Sequence, residues 1–282
     1  SYAPVPGDNN QRQGSVSWGP TQPTGPETGI SMMTGLPARD GCPSVMQMMF
    51  PRFTKYSFTF VISMIQIAVF IATLAVGAAK FHGAFDAKNP LGGPNTDTLI
   101  YMGGKCDQAI QQGHVWRLLT PVFLHAGILH ILSNLFFQFR VGFVCEQRWT
   151  IPHFATVYFV SGIGGALLSA FASPNSVSVG ASGALFGVLG ADLAYLMYNW
   201  PEIPMRGAEL CMLVILIALN LLVGLGPGVD NWAHFGGLVT GAFIGAAILP
   251  VIYLQRPKKH YYGFRGFGWF FLVAFMALFL TL

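Results

Sequence analysis

Charge is what this sequence has least of. Only 9% of its 282 residues are Asp, Glu, Lys or Arg, whereas 53% are hydrophobic and the mean hydropathy is +0.53. A soluble domain carries about 25% charged residues. Fifteen basic and 11 acidic side chains are too few to solvate a globule of 30.5 kDa. That shortage excludes a soluble enzyme and leaves a polytopic membrane protein. Cysteine is scarce as well, at four residues. The topology derived below places Cys106 on one side and Cys42, Cys145 and Cys211 in or near the other, so no disulfide framework is expected. No Lys/Arg cluster is interleaved with aromatics, which removes nucleic acid as a partner. No His-Glu-x-x-His or similar ligand spacing occurs, so neither a metal nor another cofactor is expected.

What is present is long apolar sequence, nearly all of it after residue 56. Residues 1–55 form a Pro-, Gly- and Ser-rich stretch without apolar periodicity, which reads as a disordered cytosolic tail. It lacks the basic-then-apolar start of a cleavable signal peptide. Seven apolar runs follow, each near the ~20 residues of a bilayer crossing, at roughly 57–79, 125–144, 151–172, 181–199, 208–225, 231–254 and 266–282. The fold class is therefore all-α, with a six-helix unit over 56–255 and a basic loop plus seventh helix over 256–282. The long connection at 80–124 contains Trp116 and Arg117 and is expected to lie partly in the interface.

Basic residues set the orientation. With the N-terminus in the cytosol, that side holds Arg12, Arg39, Arg52, Lys55, Arg140, Arg148, Arg206, Arg256, Lys258, Lys259 and Arg265. The other side holds Lys80, Lys88, Lys105 and Arg117. Eleven against four follows the positive-inside rule, which puts the C-terminus in a lumen or outside the cell.

The second, fourth and sixth runs then all travel from the lumen toward the cytosol, and each bears its unusual polar residues near its start. These are His125, His130 and Asn134; Ser182; and His234. At 1.5 Å rise per residue they share a depth of a few to about 13 Å below the lumenal surface. Polar groups there face a cavity or a partner. Ser182 is the candidate nucleophile and His234 the candidate base. His130 and Asn134, four positions apart, project from one helix face and can donate hydrogen bonds to a developing oxyanion. His125 is read as an organiser of the preceding loop. Ala233, Gly237, Gly241 and Gly245 repeat every four residues, and Gly183, Gly187 and Gly190 offer a matching smooth surface, so the two helices can approach closely. Asp192 lies about 15 Å deeper than Ser182 and is expected to pair with a neighbouring helix.

Taken together, His125-x4-His130-x3-Asn134, Gly180-Ala181-Ser182-Gly183 and Ala233-His234-x-Gly236-Gly237 resemble the rhomboid intramembrane serine proteases, and Trp116-Arg117 is similar to that family's first-loop signature. The resemblance covers roughly residues 57–255. It implies a Ser182–His234 dyad without an acidic third member and an oxyanion site formed by His130, Asn134 and the Ser182 backbone N–H. The implied substrate is a single-pass transmembrane helix, cut near its lumenal end. A seventh helix after the core resembles the secretory-pathway branch, which implies a secretory or plasma-membrane location. Inactive relatives lose the catalytic residues or carry Pro before the serine position, where Ala181 stands here. Phe186 occupies a place where many relatives have Tyr, and its ring can still pack on His234.

Two other functions compete. A client-binding protein that holds helices without cutting them does not require both Ser182 and His234. A transporter calls for polar residues at mid-membrane in broken helices, whereas these gather near one side. An aspartyl protease needs two membrane carboxylates, and Asp192 stands alone. The fifth run (Leu213, Val214, Leu216, Ile217, Leu219, Leu221) lacks a small-residue stripe and is expected to be the loosely packed side. The loop Gly224-Leu225-Gly226-Pro227-Gly228 is expected to cover the site.

Overall fold

The structure, a computed structural model, describes residues 54–224, 226, 228–250 and 258–280. By its contacts the chain divides into 1–42 and 43–282, and the described residues all belong to the second unit. The expected tail up to residue 53, with Arg12, Arg39, Cys42 and Arg52 in it, as well as Arg256, Leu225, Pro227 and the last positions of the sixth run (251–254), lies outside the described residues.

Among the described residues the architecture is all-helical, and the one bridge of strand type joins Lys105 to Ser178. The helices are α1 (Phe58–Lys80), α2 (Thr96–Tyr101), α3 (Asp107–Gln111), α4 (Ile128–Trp149), α5 (Ile151–Ala172), α6 (Ser182–Tyr198), α7 (Arg206–Val223), α8 (Asn231–Ile248) and α9 (Lys258–Leu280). Two short 3₁₀ turns, Val115–Leu118 and Thr120–Phe123, lie between α3 and α4. Three helices, α1, α4 and α5, are long and apolar enough to cross a membrane. Ser182–Tyr198 and Tyr262–Leu278 are apolar but shorter.

The bounds correct several expectations. The helix assigned to 125–144 starts at Ile128 and runs to Trp149, so His125 belongs to the connection before it. The sixth helix ends at Ile248, ahead of Leu249 and Pro250, because proline cannot continue the ladder and biases its predecessor toward extended backbone. The seventh begins at Lys258, eight residues before the expected 266. Lys258, Lys259 and Arg265 therefore sit on a helix rather than in a basic loop. Residues 81–127 are not one plain loop either. They fold into α2, α3 and the two 3₁₀ turns.

Helix α1 is inverted relative to a helix of a soluble protein. Its buried stripe includes Thr59, Ser63, Gln66 and Thr73, while Val61, Met64, Ile65 and Ile71 are exposed. Apolar side chains belong outside when the surroundings are hydrocarbon, and polar ones must then find partners within the bundle. They do. The Ser57 side chain accepts from Phe60 N–H at the N-cap. Glu146 of α4 accepts from the backbone N–H groups of Phe58 and Thr59 and from the Thr59 hydroxyl, each at 2.8 Å. The first-turn donors that every helix leaves open are thus satisfied by a neighbouring helix. Farther along, Gln66 donates to Val122 O and to the Tyr158 hydroxyl, Tyr158 donates to Gln138, and Gln138 donates to Ser63 and Gln66. That closed network ties α1, α4 and α5 together.

The centre of the molecule is the packing of α5, α6 and α8. Added Cβ atoms on Gly237 and Gly241 would overlap the carbonyl oxygens of Gly183 and Gly187, and one on Gly190 would overlap that of Leu238. No residue larger than glycine fits there without moving a backbone. By contrast α7 is loosely held: Leu213 is buried, whereas Met212, Val214, Ile215, Leu219 and Leu222 are exposed. Its polar attachment is Glu209, which shares Arg148 of α4 with Asp192 of α6. The expected partner of Asp192 is therefore Arg148, at 2.9 Å. Helix α9 lies along α8, with Phe271 stacked on Phe243 at 5.4 Å.

Candidate functional site

Two helix starts meet at the site. Ser182 is the first residue of α6, half-buried, and His234 is in the first turn of α8, 6% exposed. Ser182 Oγ lies 2.8 Å from His234 Nε2, which is hydrogen-bond distance. The proximity follows from the glycine contacts just described, since α6 and α8 touch backbone to backbone directly beneath the pair. Phe186, one turn below Ser182, stacks on the imidazole with centroids 4.4 Å apart and planes at 17°. The ring holds the histidine at a fixed tilt without a phenolic hydroxyl. His234 Nδ1 has no hydrogen-bond partner among the described residues.

The approach to Ser182 is shaped by Gly180, whose φ of +131° lies where L side chains rarely go. A Cβ there would fall 2.8 Å from His130 Cε1 and 2.9 Å from Nε2. The His130 ring therefore lies directly against the turn that delivers Ser182. Its Nδ1 accepts from Ala126 N–H at 3.3 Å, which leaves Nε2 as the ring donor in the neutral form. Asn134 is 6% exposed, and its Nδ2 donates to the His130 carbonyl at 2.9 Å. One amide proton is thereby turned back on its own helix, and the other has no partner among the described residues. His125 is fully buried in the connection before α4 and meets the His130 ring edge-on at 5.4 Å.

The loop signature divides in two. Arg117 is 9% exposed, and its Nη1 donates to Ile100 O at 2.7 Å and Gly104 O at 2.8 Å, gathering the turns of the 81–127 region. Trp116 is about half exposed and stacks on His114 at 4.6 Å. Its indole thus faces outward, as an interfacial anchor does. Among the described residues, Cys106, Cys145 and Cys211 form no disulfide.

Several supporting residues were not singled out from the sequence. Asp230 caps α8, accepting from Ala233 N–H at 3.1 Å through Oδ1, and its Oδ2 accepts from the Ser169 hydroxyl. An Asp three residues ahead of a helical Ala is a readable N-cap signal. Lys105 is fully buried and pairs with Asp107 at 3.0 Å. Burial raises Asp107 above the ordinary carboxylate range, against the lowering pull of Lys105. Nothing in the local sequence announces a lysine of this kind.

Comparison with known proteins identifies the family. The rhomboid domain model matches residues 112–251, which leaves α1 outside the matched stretch. The chain is 40% identical to RHOMBOID-like protein 1 of Arabidopsis thaliana over 193 residues, 67% of this chain and 48% of that protein. It is 36% identical to Rhomboid-like protease 1 of Toxoplasma gondii over 204 residues, 71% of this chain and 66% of that protein. It is also 33% identical to Inactive RHOMBOID-like protein 8 of Arabidopsis thaliana over 213 residues, 70% of this chain and 61% of that protein. The matched stretches thus span roughly half to two thirds of the length of these relatives. The chain belongs to the rhomboid family.

Proposed function

We propose that this rhomboid-family chain is an intramembrane serine endopeptidase that cuts single-pass transmembrane helices near their lumenal or extracellular end. The observation that carries the reading is the 2.8 Å separation of Ser182 Oγ and His234 Nε2 at the starts of two helices whose bundle presents an apolar exterior. Kinship alone does not decide activity, since one relative is named inactive. A client-binding protein has no use for a hydroxyl held on an imidazole nitrogen.

In the proposed reaction His234 Nε2 takes the Ser182 proton as Oγ bonds to the peptide carbonyl carbon. The carbonyl oxygen becomes an oxyanion, met by the Ser182 backbone N–H, His130 Nε2–H and the free amide proton of Asn134. Collapse of the tetrahedral adduct breaks the C–N bond, and His234 returns the proton to the leaving amine. Water then attacks the acyl carbonyl as His234 accepts its proton, and collapse breaks the ester bond to Oγ, which takes the proton back from His234 as the new carboxyl end leaves. A substrate helix has its backbone hydrogen bonds satisfied internally. Helix-weakening residues near its lumenal end therefore favour cleavage, and the loosely held α7 marks the side on which it enters.

A mechanism-based reagent that acylates active serines tests the reaction class. Cleavage of a reporter transmembrane substrate is expected to stop on treatment, to survive EDTA and aspartyl-protease inhibitors, and to leave the adduct on Ser182 by mass spectrometry. An adduct on another residue overturns the assignment.

The same reading takes α1 and α4–α9 as seven crossings in a secretory-pathway or plasma membrane, with the N-terminus cytosolic and the C-terminus lumenal or extracellular. Supporting it is the eleven-to-four distribution of Lys and Arg. Cysteines engineered at Arg39 and after Leu282 are expected to react with an impermeant thiol reagent from opposite sides. Labelling from one side removes a crossing and breaks the common depth of the site.

A further inference from the structure

A lysine ammonium enclosed in protein is costly unless its charge and all three protons are met. Lys105 is 0% exposed, and its partners are of an unusual kind. Besides the Asp107 carboxylate, Nζ donates to the backbone carbonyls of Ser173 at 2.9 Å, Ser176 at 3.1 Å and Ser169 at 3.4 Å. These carbonyls belong to the end of α5 and the connection to α6. A cation at a helix C-terminus meets both the open carbonyls and the negative end of the dipole.

The lysine reaches both halves of the proposed dyad. Its own backbone bridges to Ser178, with Lys105 N–H donating to Ser178 O at 2.9 Å and Ser178 N–H donating to Lys105 O at 3.3 Å. Ser178 stands four residues before Ser182. Two residues on, Gly180 N–H donates to Pro121 O at 2.9 Å, so the segment that delivers the nucleophile is pinned to the 81–127 region twice. The second route runs through Ser169, whose carbonyl receives the lysine and whose hydroxyl donates to Asp230. Asp230 in turn caps the first turn of α8 at Ala233, the residue before His234.

We propose that Lys105 is a positioning residue for the Ser182–His234 pair, holding the α5–α6 connection and, through Ser169 and Asp230, the start of α8 in one register. The proposal rests on the dyad reading above. An interior charge rather than an apolar side chain suits this task, because three directed bonds to carbonyls fix a loop in place where packing alone lets it slide.

The experiment uses the full chain in proteoliposomes. It measures the acylation rate of Ser182 by a small fluorophosphonate, kcat and KM for a reporter transmembrane substrate, and the unfolding midpoint. Each rate is taken at the same interval below the variant's own midpoint. Lys105→Met is expected to slow acylation about tenfold or more, in line with the sensitivity of catalysis to displacements near 1 Å, with KM within about twofold of wild type. Lys105→Gln, which keeps donors for the carbonyls but loses the charge, is expected to fall between the two. Ser169→Ala leaves the lysine contacts in place and cuts the link to Asp230. It is expected to slow acylation while leaving the midpoint nearly unmoved, and Ser169→Thr, which restores a hydroxyl, is expected to recover part of the rate. If Lys105→Met does not fold, the Gln and Ala variants decide. Wild-type acylation rates in Lys105→Gln and Ser169→Ala overturn the positioning role while wild type still labels at Ser182. Wild type labelled elsewhere overturns the dyad, and this proposal with it.

Discussion

Ser182→Ala and His234→Ala are each expected to abolish cleavage of a reporter transmembrane substrate in proteoliposomes while the protein remains folded. The two side chains share one proton across 2.8 Å and act as a unit, so loss of either removes covalent catalysis. In serine proteases such a loss is on the order of 10⁶ in kcat. The oxyanion donors should behave differently. Removing one preorganised donor costs about 10²–10³ in kcat. Asn134→Ala leaves the Ser182 N–H and His130 Nε2 in place, so its residual activity should lie above that of Ser182→Ala, with KM nearly unchanged. His130→Ala should add a folding penalty, because Nδ1 holds Ala126 and the ring packs against the Gly180 turn. Undiminished cleavage by either dyad variant removes the proposed mechanism. Wild-type rates in both Asn134→Ala and His130→Ala place the oxyanion elsewhere and leave α4 as scaffold.

Gly241→Ala is expected to be the most damaging single methyl group in the protein. The new Cβ would overlap the Gly187 carbonyl oxygen and lie 2.5 Å from its carbonyl carbon and Cα. All of these are backbone atoms, so no side chain can swing aside and α6 and α8 must separate. Overpacking costs about 1–3 kcal/mol, which outweighs the gain of up to about 1 kcal/mol that Ala brings to a helix. Activity should fall further than stability does, because the separation widens the gap between the helices that carry Ser182 and His234. Gly263→Ala on α9 is the control, since a Cβ there meets nothing within 4 Å and helix propensity alone should act. Unfolding midpoints and cleavage rates in bicelles check both. Equal midpoints for the Gly241 and Gly263 variants defeat the close-approach argument.

How much of this could be read beforehand depends on the scale over which each signal extends. Helices α1 and α5 fall within a residue of their expected bounds because each is a run of apolar sequence with turn chemistry at both ends. Ser182 and His234 were legible because their flanking small residues make sense only if two backbones touch, and Gly237 against Gly183 does so. Phe186 on the imidazole follows from one helical turn of spacing. The connection at 81–127 was not legible. Its helices are six and five residues long, too short for a period to develop, and the bonds from Arg117 that gather the region reach 13 and 17 positions back to Gly104 and Ile100. The start of α9 was misplaced because Lys258, Lys259 and Arg265 resemble a cytosolic loop, whereas Arg265 Nη2 in fact reaches back to the final carbonyls of α8, Ile248 O and Leu249 O, at 3.4 Å. Glu146 and the burial of Lys105 left no local trace, since the donors that Glu146 meets lie 87 or more positions away and the carbonyls that receive Lys105 lie 64 or more positions away.

That last separation has a bearing on biosynthesis. The carbonyls that receive the Lys105 ammonium are made 64 to 71 residues after it. At roughly 5–20 residues per second, translation leaves the lysine without them for about 3–14 seconds. During that interval the ammonium has the Asp107 carboxylate two residues away but none of the carbonyls that enclose it in the folded protein. Nascent chains therefore pass through a stage in which the 81–127 region lacks the carbonyls that complete it. Ser182 follows those carbonyls in the chain, so on the proposed reading the order of synthesis itself delays the site until the α5–α6 connection has arrived.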